Sequence, residues 1–258
     1  MIICQTLWTN KKNLLKDSFG WLTPQHHLMG WALSCLKLKK FYETVNLHTD
    51  NTGIALLRDE LGLPYSNVFN DYSELKCPPH LWAKPKLLTF AKQSASFLHV
   101  DGDVFIWRKF NDTLMSSGLI AQNLEIGTQY YKNAFLPLLN ELTNIPRGLK
   151  KNLISLNMRA YNAGIIGGHD IDFFKRYVST AIRFVEKNSK VESNFNILFE
   201  QLLFYTMSLK EKKVVSCLFD KSLNDNGYKK EEIASFPRVN HLGYLHLIGF
   251  FKQDKEIC

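Results

Sequence analysis

Apolar residues along the chain fall into short segments that alternate between two patterns. Continuous apolar or β-branched runs are typical of buried strands, whereas apolar residues at helical spacing are typical of helices. The runs predict strands at residues 1–7, 44–48, 96–100, 119–124, 153–158, 163–166 and 214–219. The helical spacing predicts helices at residues 24–38, 51–61, 85–92, 128–142, 172–187 and 194–207. Residues 68–79 are polar and rich in turn residues, so we expect a loop there.

The alternation of strands with helices predicts the fold class. It favours an α/β fold with a mostly parallel central sheet flanked by helices. Since no repeat and no shift of composition divides the chain, we expect one domain over residues 1–258. No apolar run approaches the roughly 18 residues of a membrane span. The first residues lack a basic segment and a cleavage site, so we expect no signal peptide.

Composition and charge narrow the function classes. Of 258 residues, 45% are hydrophobic and 22% are charged, which excludes disordered, collagen-like and disulfide-rich proteins. A formal charge of +8 favours anionic partners such as phosphates, nucleic acid or an acidic membrane surface. The five cysteines include no C-x-x-C pair and are expected to be reduced thiols in a cytoplasmic protein. A peripheral contact with the inner face of a membrane stays open.

The segment Asp101-Gly102-Asp103 carries the clearest candidate chemistry. It follows the apolar run 97–100, and open α/β sheets bind ligands at the carboxyl ends of their strands. Two carboxylates at i and i+2 can reach one hard cation, while a diphosphate fills the remaining coordination positions. Gly102 would let phosphates approach the backbone. A polar turn between two strands is the structural alternative.

Three later segments have weaker signals. Asn162, before Ala163-Gly164, offers a donor and an acceptor to a sugar hydroxyl. Glu200-Gln201 places a carboxylate beside an amide on a predicted helix. His246, Gly249 and Lys252 combine a metal-capable imidazole, a flexible glycine and a cation near the end of the sequence.

Taken in this order, the four segments resemble the nucleotide-sugar glycosyltransferases of the GT-A fold, and most closely glycosyltransferase family 8, the glycogenin and lipopolysaccharide galactosyltransferase group. That family has a strand ending in D-x-D, an N-A-G-V-like segment, an acidic-Gln pair and H-x-x-G-x-x-K. The sequence departs from the family pattern at Leu202, where the family has Asp, and at Gln253-Asp254, where it has Pro-Trp.

The resemblance implies a Rossmann-like GT-A fold and the transfer of a sugar from a nucleotide-diphosphate donor, expected to be a UDP-sugar, to a glycan or lipid-linked acceptor. It implies Mn²⁺ or Mg²⁺ as cofactor, bound by Asp101, Asp103 and His246. A tail over residues 240–258 is expected to close over the donor site. The remaining implied roles are donor binding by Thr6, Trp8, Asp50, Lys84, Lys86, Gly102, Gly164, Gly249 and Lys252, and catalysis by Asn162, Glu200 and Gln201.

Two other functions stay open at this point. The octet 97–104 also fits a haloacid-dehalogenase-type phosphoryl-transfer enzyme, with Asp101 as nucleophile. That motif normally follows the first strand, and here two strand–helix units precede it. The second alternative is a non-catalytic module that binds an anionic polymer through its positive charge. The sequence has no nucleic-acid-binding motif, so we expect no nucleic acid partner.

Overall fold

The computed structural model describes residues 1–225, 236 and 239–257. Its strands are β1 Ile2–Thr6, β2 Val45–Thr49, β3 Asn67–Asn70, β4 Phe97–Val100, β5 Val104–Ile106, β6 Leu119–Ala121, β7 Leu124–Ile126, β8 Arg159–Tyr161, β9 Ile165–Gly168, β10 Val215–Cys217 and β11 Tyr244–His246. Its α-helices are α1 Pro24–Phe41, α2 Asn51–Gly53, α3 Lys84–Lys92, α4 Asp112–Met115, α5 Gln129–Phe135, α6 Arg147–Leu153, α7 Ile171–Lys187, α8 Leu203–Lys210 and α9 Val239–Leu242. Ile54–Glu60 and Leu198–Leu202 are π-helices, and Pro137–Asn140 and Gly249–Gln253 are 3₁₀-helices.

The fold is mixed α/β, with a seven-stranded, mostly parallel sheet flanked by helices. This confirms the predicted class and the predicted sheet type. The chain packs as two compact units, of which the first contains residues 1–75, 98–110 and 228–258, and the second contains residues 76–97 and 111–227. The expectation of a single domain stays a prediction.

In the first unit, the strands of the large sheet follow the order β4-β1-β2-β3. The pairs β1/β2 and β2/β3 are parallel. Helix α1 begins after Thr23, whose side chain accepts a hydrogen bond from the His26 amide, and Pro24 fits the first helical turn. The helix buries Trp31, Cys35 and Leu38 at helical spacing. A separate two-stranded sheet joins β5 to β11.

In the second unit, β10 pairs with β6 in parallel and β6 pairs with β9 in the antiparallel sense. Helix α7 is amphipathic, and its apolar face lies among the aromatic rings of the core. Phe174 of this helix packs 4.9 Å from Phe97 and 5.9 Å from Phe204, measured between ring centroids. These contacts fix the helix against its unit by burial of large aromatic side chains.

Several predicted elements are wrong in part. The strand predicted at 119–124 divides into β6 and the start of β7, which belong to different sheets. Residues 67–70 form a strand where a loop was expected, because β3 bonds to β2 through its backbone while its side chains stay largely exposed and show no apolar pattern. Residues 153–158 do not form a strand: Leu153 is the last residue of helix α6, where it is buried with Leu149, and residues 154–158 form turns without a regular element. The predicted helix over 128–142 changes to a 3₁₀-helix at Pro137, whose ring cannot continue an α-helix.

Two further expectations concern the whole chain. No α-helix within the described residues has the length and apolar character needed to cross a bilayer. Cys4, Cys35, Cys77 and Cys217 form no disulfide among the described residues, Cys258 lies outside them, and the expected reduced state of the thiols stays a prediction.

Candidate functional site

The acidic turn lies between two buried strands of the first unit. Strand β4 ends at Val100, the Val104 amide donates a 3.1 Å hydrogen bond to the carbonyl of Asp101, and β5 begins at Val104. Gly102 is needed for packing, since a Cβ at this position would lie 2.6 Å from the indole ring of Trp31. The close approach of Trp31 therefore explains why position 102 is a glycine, independently of its predicted role beside a phosphate.

Strand β11 brings His246 to the acidic turn. It pairs with β5 so that His246 lies opposite Val104, and the Leu247 amide donates a 3.0 Å hydrogen bond to the carbonyl of Asp103. One ligand atom from each of Asp101, Asp103 and His246 lies within 4.8 Å of the other two. Among the described residues, this is the one group of three metal-capable side chains so arranged.

Asp103 is the electrostatic centre of this cluster. Its side chain is 12% exposed, and the Lys252 Nζ lies 2.5 Å from its Oδ2. Burial alone would raise the pKa of Asp103, but the Lys252 ammonium and the His246 imidazole beside the carboxylate outweigh burial and hold that pKa well below its usual range. The carboxylate is therefore ionised at neutral pH and available as a ligand.

The second oxygen of Asp103 points to a place for a cation. The Oδ1 atom is buried and accepts no hydrogen bond from the described residues, and the His246 Nε2 lies 3.4 Å away. A buried carboxylate oxygen without a donor is costly unless another positive group joins it. Two carboxylates and one imidazole form a ligand set that suits Mn²⁺ or Mg²⁺. The residues present therefore fit the implied metal.

The tail holds Lys252 at the cluster through its backbone. The Leu22 amide donates a 2.8 Å hydrogen bond to the Lys252 carbonyl. The Lys252 ammonium also lies 5.8 Å from the centre of the Trp21 ring, within the range of a cation–π contact. Gly249 begins the 3₁₀-helix that contains Lys252 and has φ of +54°, which a glycine adopts without strain.

A small polar cavity of about 190 Å³ follows strands β1 and β2. Trp8 and Tyr72 contribute aromatic rings to its wall. Asp50 also lines it, and both of its carboxylate oxygens hold the local backbone, one by accepting from the Thr9 amide at 2.7 Å and the other from the Gly53 amide at 3.1 Å. The other lining residues are Asn10, Lys11, Asn51, Thr52, Ser73, Glu74 and Leu75.

Thr6 connects the end of β1 to the strand that precedes the acidic turn. Its hydroxyl lies 3.0 Å from the His99 Nε2. The other ring nitrogen of His99 lies 3.5 Å from an Asp101 carboxylate oxygen. Thr6 therefore orients the imidazole that faces Asp101, and is a positioning residue in this geometry.

The second unit contains its own buried polar network. The Lys86 ammonium lies 2.7 Å from Glu200 Oε1 and donates to the Ala163 carbonyl at 2.8 Å. Asn162 donates to Glu125 Oε1 at 3.1 Å and accepts from the Gly164 amide at 3.0 Å. Glu200 lies in the π-helix Leu198–Leu202, a deviation from α-helical geometry that is frequent at functional sites.

Glu125 and Tyr131 belong to this network and have no signal in the sequence. The Tyr131 hydroxyl contacts Glu125 Oε2 and lies 2.9 Å from Gln201 Oε1. Glu125 is 2% exposed. The alternation of residues along its strand does not predict whether this side chain faces the solvent or the core. A buried carboxylate is found only through its contacts, which are formed by residues distant in the sequence.

The predicted residues thus divide between the two units. Asp101, Asp103, His246 and Lys252 meet in the first unit, and Trp8 and Asp50 share the cavity there. Lys86, Asn162, Gly164, Glu200 and Gln201 meet in the second unit. Lys84, the first residue of α3, is partly buried.

Comparisons with known proteins give a family but no activity. None of the curated proteins matches the chain. The model of a family of unknown function, DUF6734, matches residues 1–258, and the chain therefore belongs to that family.

Proposed function

We propose that this protein is a metal-dependent glycosyltransferase that uses a nucleotide-diphosphate sugar as donor. One observation carries the proposal: Asp101, Asp103 and His246 converge within 4.8 Å after a buried strand, with Lys252 on the same carboxylate. The order of the four sequence segments that resemble glycosyltransferase family 8 supports it. The GT-A form of the α/β fold is part of the same proposal.

The first unit would bind the diphosphate. Asp101, Asp103 and His246 would hold Mn²⁺ or Mg²⁺, and Lys252 adds a cation that binds phosphate oxygens. A bound divalent cation supplies Lewis-acid chemistry and offsets the charge that develops on the leaving nucleoside diphosphate. The low pKa of Asp103 keeps this ligand ionised throughout the neutral range.

The cavity beside Trp8 and Tyr72 would take the nucleobase. Its 190 Å³ is below the size of a typical whole-ligand pocket and suits one ring system. The partly exposed ring of Trp8 gives a base a stacking surface, and the amide and hydroxyl groups of Asn51 and Ser73 offer donors and acceptors to its edge. Uracil is the base that we expect.

We assign catalysis to Asn162, Glu200 and Gln201 of the second unit. Lys86 keeps the buried Glu200 carboxylate paired, and Tyr131 holds Gln201 in one orientation. Glu125 is a positioning residue for Asn162, because its carboxylate fixes the amide of that side chain. The acceptor would be a glycan or a lipid-linked sugar, and the reduced thiols favour a cytoplasmic location.

Asp103→Asn tests the metal site. The change removes the negative charge but keeps the shape of the side chain. We expect the affinity of UDP in the presence of Mn²⁺ to fall at least tenfold, because the cation loses one anionic ligand. Isothermal titration calorimetry of UDP with Mn²⁺, and with a chelator in its place, measures this directly.

A matched control is Asp172→Asn, which makes the same chemical change at a side chain that is 81% exposed. This variant should bind as the wild type does. Equal Mn²⁺–UDP affinity in the wild type and Asp103→Asn would refute the metal assignment. Trapping of a beryllium fluoride adduct at Asp101 without nucleotide binding would favour the phosphoryl-transfer alternative instead.

A further inference from the structure

Helix α6 of the second unit has two chemically different faces. Leu149 and Leu153, four residues apart, are fully buried. A Cβ on the exposed Gly148 would lie 3.6 Å from Thr206 of α8, an ordinary van der Waals contact, so α6 lies beside α8. Packing of one face leaves the opposite face to solvent.

The outer face is basic and ends in two exposed apolar residues. Arg147, Lys150, Lys151 and Ile154 lie at i, i+3, i+4 and i+7 and are exposed, which places them along one side of the helix. Ile154 is 62% exposed, and Leu156 in the following turn is 84% exposed. We call these five residues the α6 patch.

The charge around the α6 patch has one sign along the sequence. From residue 142 to residue 169 the chain contains Arg147, Lys150, Lys151 and Arg159 and no Asp or Glu. Basic residues that surround exposed aliphatic side chains match the chemistry of an anionic bilayer surface. Lysine and arginine attract lipid headgroups, while isoleucine and leucine enter the interface between headgroups and acyl chains.

We propose that the α6 patch docks the protein on the surface of a membrane that contains anionic lipids. The contact is peripheral, since α6 has seven residues and its inner face is packed in the protein. It does not rest on the proposed glycosyltransferase activity. The α6 patch combines both signals that reversible membrane binding requires, a cationic cluster and inserted apolar side chains.

Vesicle sedimentation tests the proposal with the full chain. Vesicles of phosphatidylcholine containing phosphatidylglycerol should bind the wild type, and pure phosphatidylcholine vesicles should not. Lys150→Gln with Lys151→Gln should lower the partition coefficient roughly thirtyfold, since each lysine at an anionic surface contributes about 1 kcal/mol, which is about fivefold. Ile154→Ser with Leu156→Ser should lower it by about tenfold or more, because the apolar insertion is lost.

Matched controls separate the α6 patch from general charge. Lys187→Gln with Lys190→Gln removes two exposed cations of the same unit, and Met29→Ser with Leu36→Ser removes two exposed apolar side chains elsewhere. Both controls should bind vesicles as the wild type does. All variants alter exposed positions, and thermal melting verifies that each is folded.

Three results would overturn the proposal. The first is equal binding of the wild type to neutral and anionic vesicles. The second is unchanged binding by both α6 variants. The third is loss of binding in the lysine variant alone, together with competition by single-stranded RNA that displaces the wild type from vesicles. This combination would show that the α6 patch binds polyanions in general. A salt titration of the wild type gives a variant-free measurement, since electrostatic docking weakens as ionic strength rises.

Discussion

At the scale of single residues, His27 shows how the surroundings of the candidate site control a titrating group. Its ring is 3% exposed and accepts a 2.9 Å hydrogen bond from the Trp31 indole. Burial, together with the positive charge of Lys252, lowers the pKa of His27 to about 4. Protonation would also remove the acceptor of the buried indole N–H. The folded protein therefore requires neutral His27.

His27 should make stability depend on pH. In the unfolded chain its pKa is about 6.5, so acid favours unfolding as the pH falls from 6.5 towards 4. The contribution is fully present above pH 6.5 and decreases by about 1.4 kcal/mol per pH unit below it, to a total of about 3 kcal/mol. Urea unfolding at pH 7, 5.5 and 4.5 measures this loss.

The variant His27→Gln isolates the effect from carboxylate titrations. Glutamine can accept the indole hydrogen bond and does not titrate. We expect the difference in unfolding free energy between the wild type and the variant to shrink as the pH falls. A constant difference from pH 7 to pH 4.5 would show that the pKa of His27 is the same in the folded and unfolded states.

At the scale of elements, β11 stabilises the first unit, and the 3₁₀-helix that follows it places the positive charge of Lys252 beside Asp103. Leu245 and Leu247 are fully buried, and β11 pairs with β5, so that its backbone forms hydrogen bonds with the edge of that strand. Lys252 contacts Asp103 from the next element. The two parts of the tail therefore have different tasks.

Truncation at two positions separates these tasks. A chain that ends at residue 243 loses β11, so its Tm should fall by more than 10 °C, because burial of several large side chains is lost. A chain that ends at residue 248 keeps β11 and should stay folded, with UDP affinity in Mn²⁺ reduced by loss of Lys252. Differential scanning calorimetry and calorimetric titration give both values. Full UDP affinity in the chain ending at 248 would contradict the role of Lys252.

The elements also show how far the sequence predicts the structure. Helix α7 is predicted to within a residue, because its apolar face repeats at helical spacing against the core. Strand β3 is missed because its partner, β2, stabilises it through backbone hydrogen bonds. Helix α6 is missed because its two buried leucines are too few to show a period. Hydrophobic patterns in the sequence predict those elements whose own apolar side chains are buried in the core.

At the scale of the whole molecule, the candidate sites are assembled from distant parts of the chain. The approach of His246 to Asp103 depends on the pairing of β11 with β5, and the Lys86–Glu200 ion pair spans 114 positions of the sequence. The D-x-D carboxylates are predictable because they follow a strand. Glu125 and Tyr131 are not, since only the folded chain gives them their partners.

The proposed function predicts that ligand binding stabilises the whole protein. At concentrations of about 100 times Kd, Mn²⁺ with UDP adds about 2.7 kcal/mol, which corresponds to a rise in Tm of roughly 5–10 °C. A chelator should remove the shift, and UDP alone should give a much smaller one. Thermal scanning with Mn²⁺, Mg²⁺ and Ca²⁺ compares the cations. A shift that is equal with and without chelator would contradict a metal-dependent donor site.

The pairing of β5 with β11 has a consequence for synthesis on the ribosome. Asp103 is translated well before Lys252, which follows 149 positions later, and most of the second unit emerges in between. Domains begin to fold as they emerge, N-terminal parts first. During that interval β5 has an open edge, and Asp103 has neither His246 nor Lys252 beside it. A nascent chain therefore assembles Asp101, Asp103 and His246 into one cluster only after β11 has emerged and paired with β5.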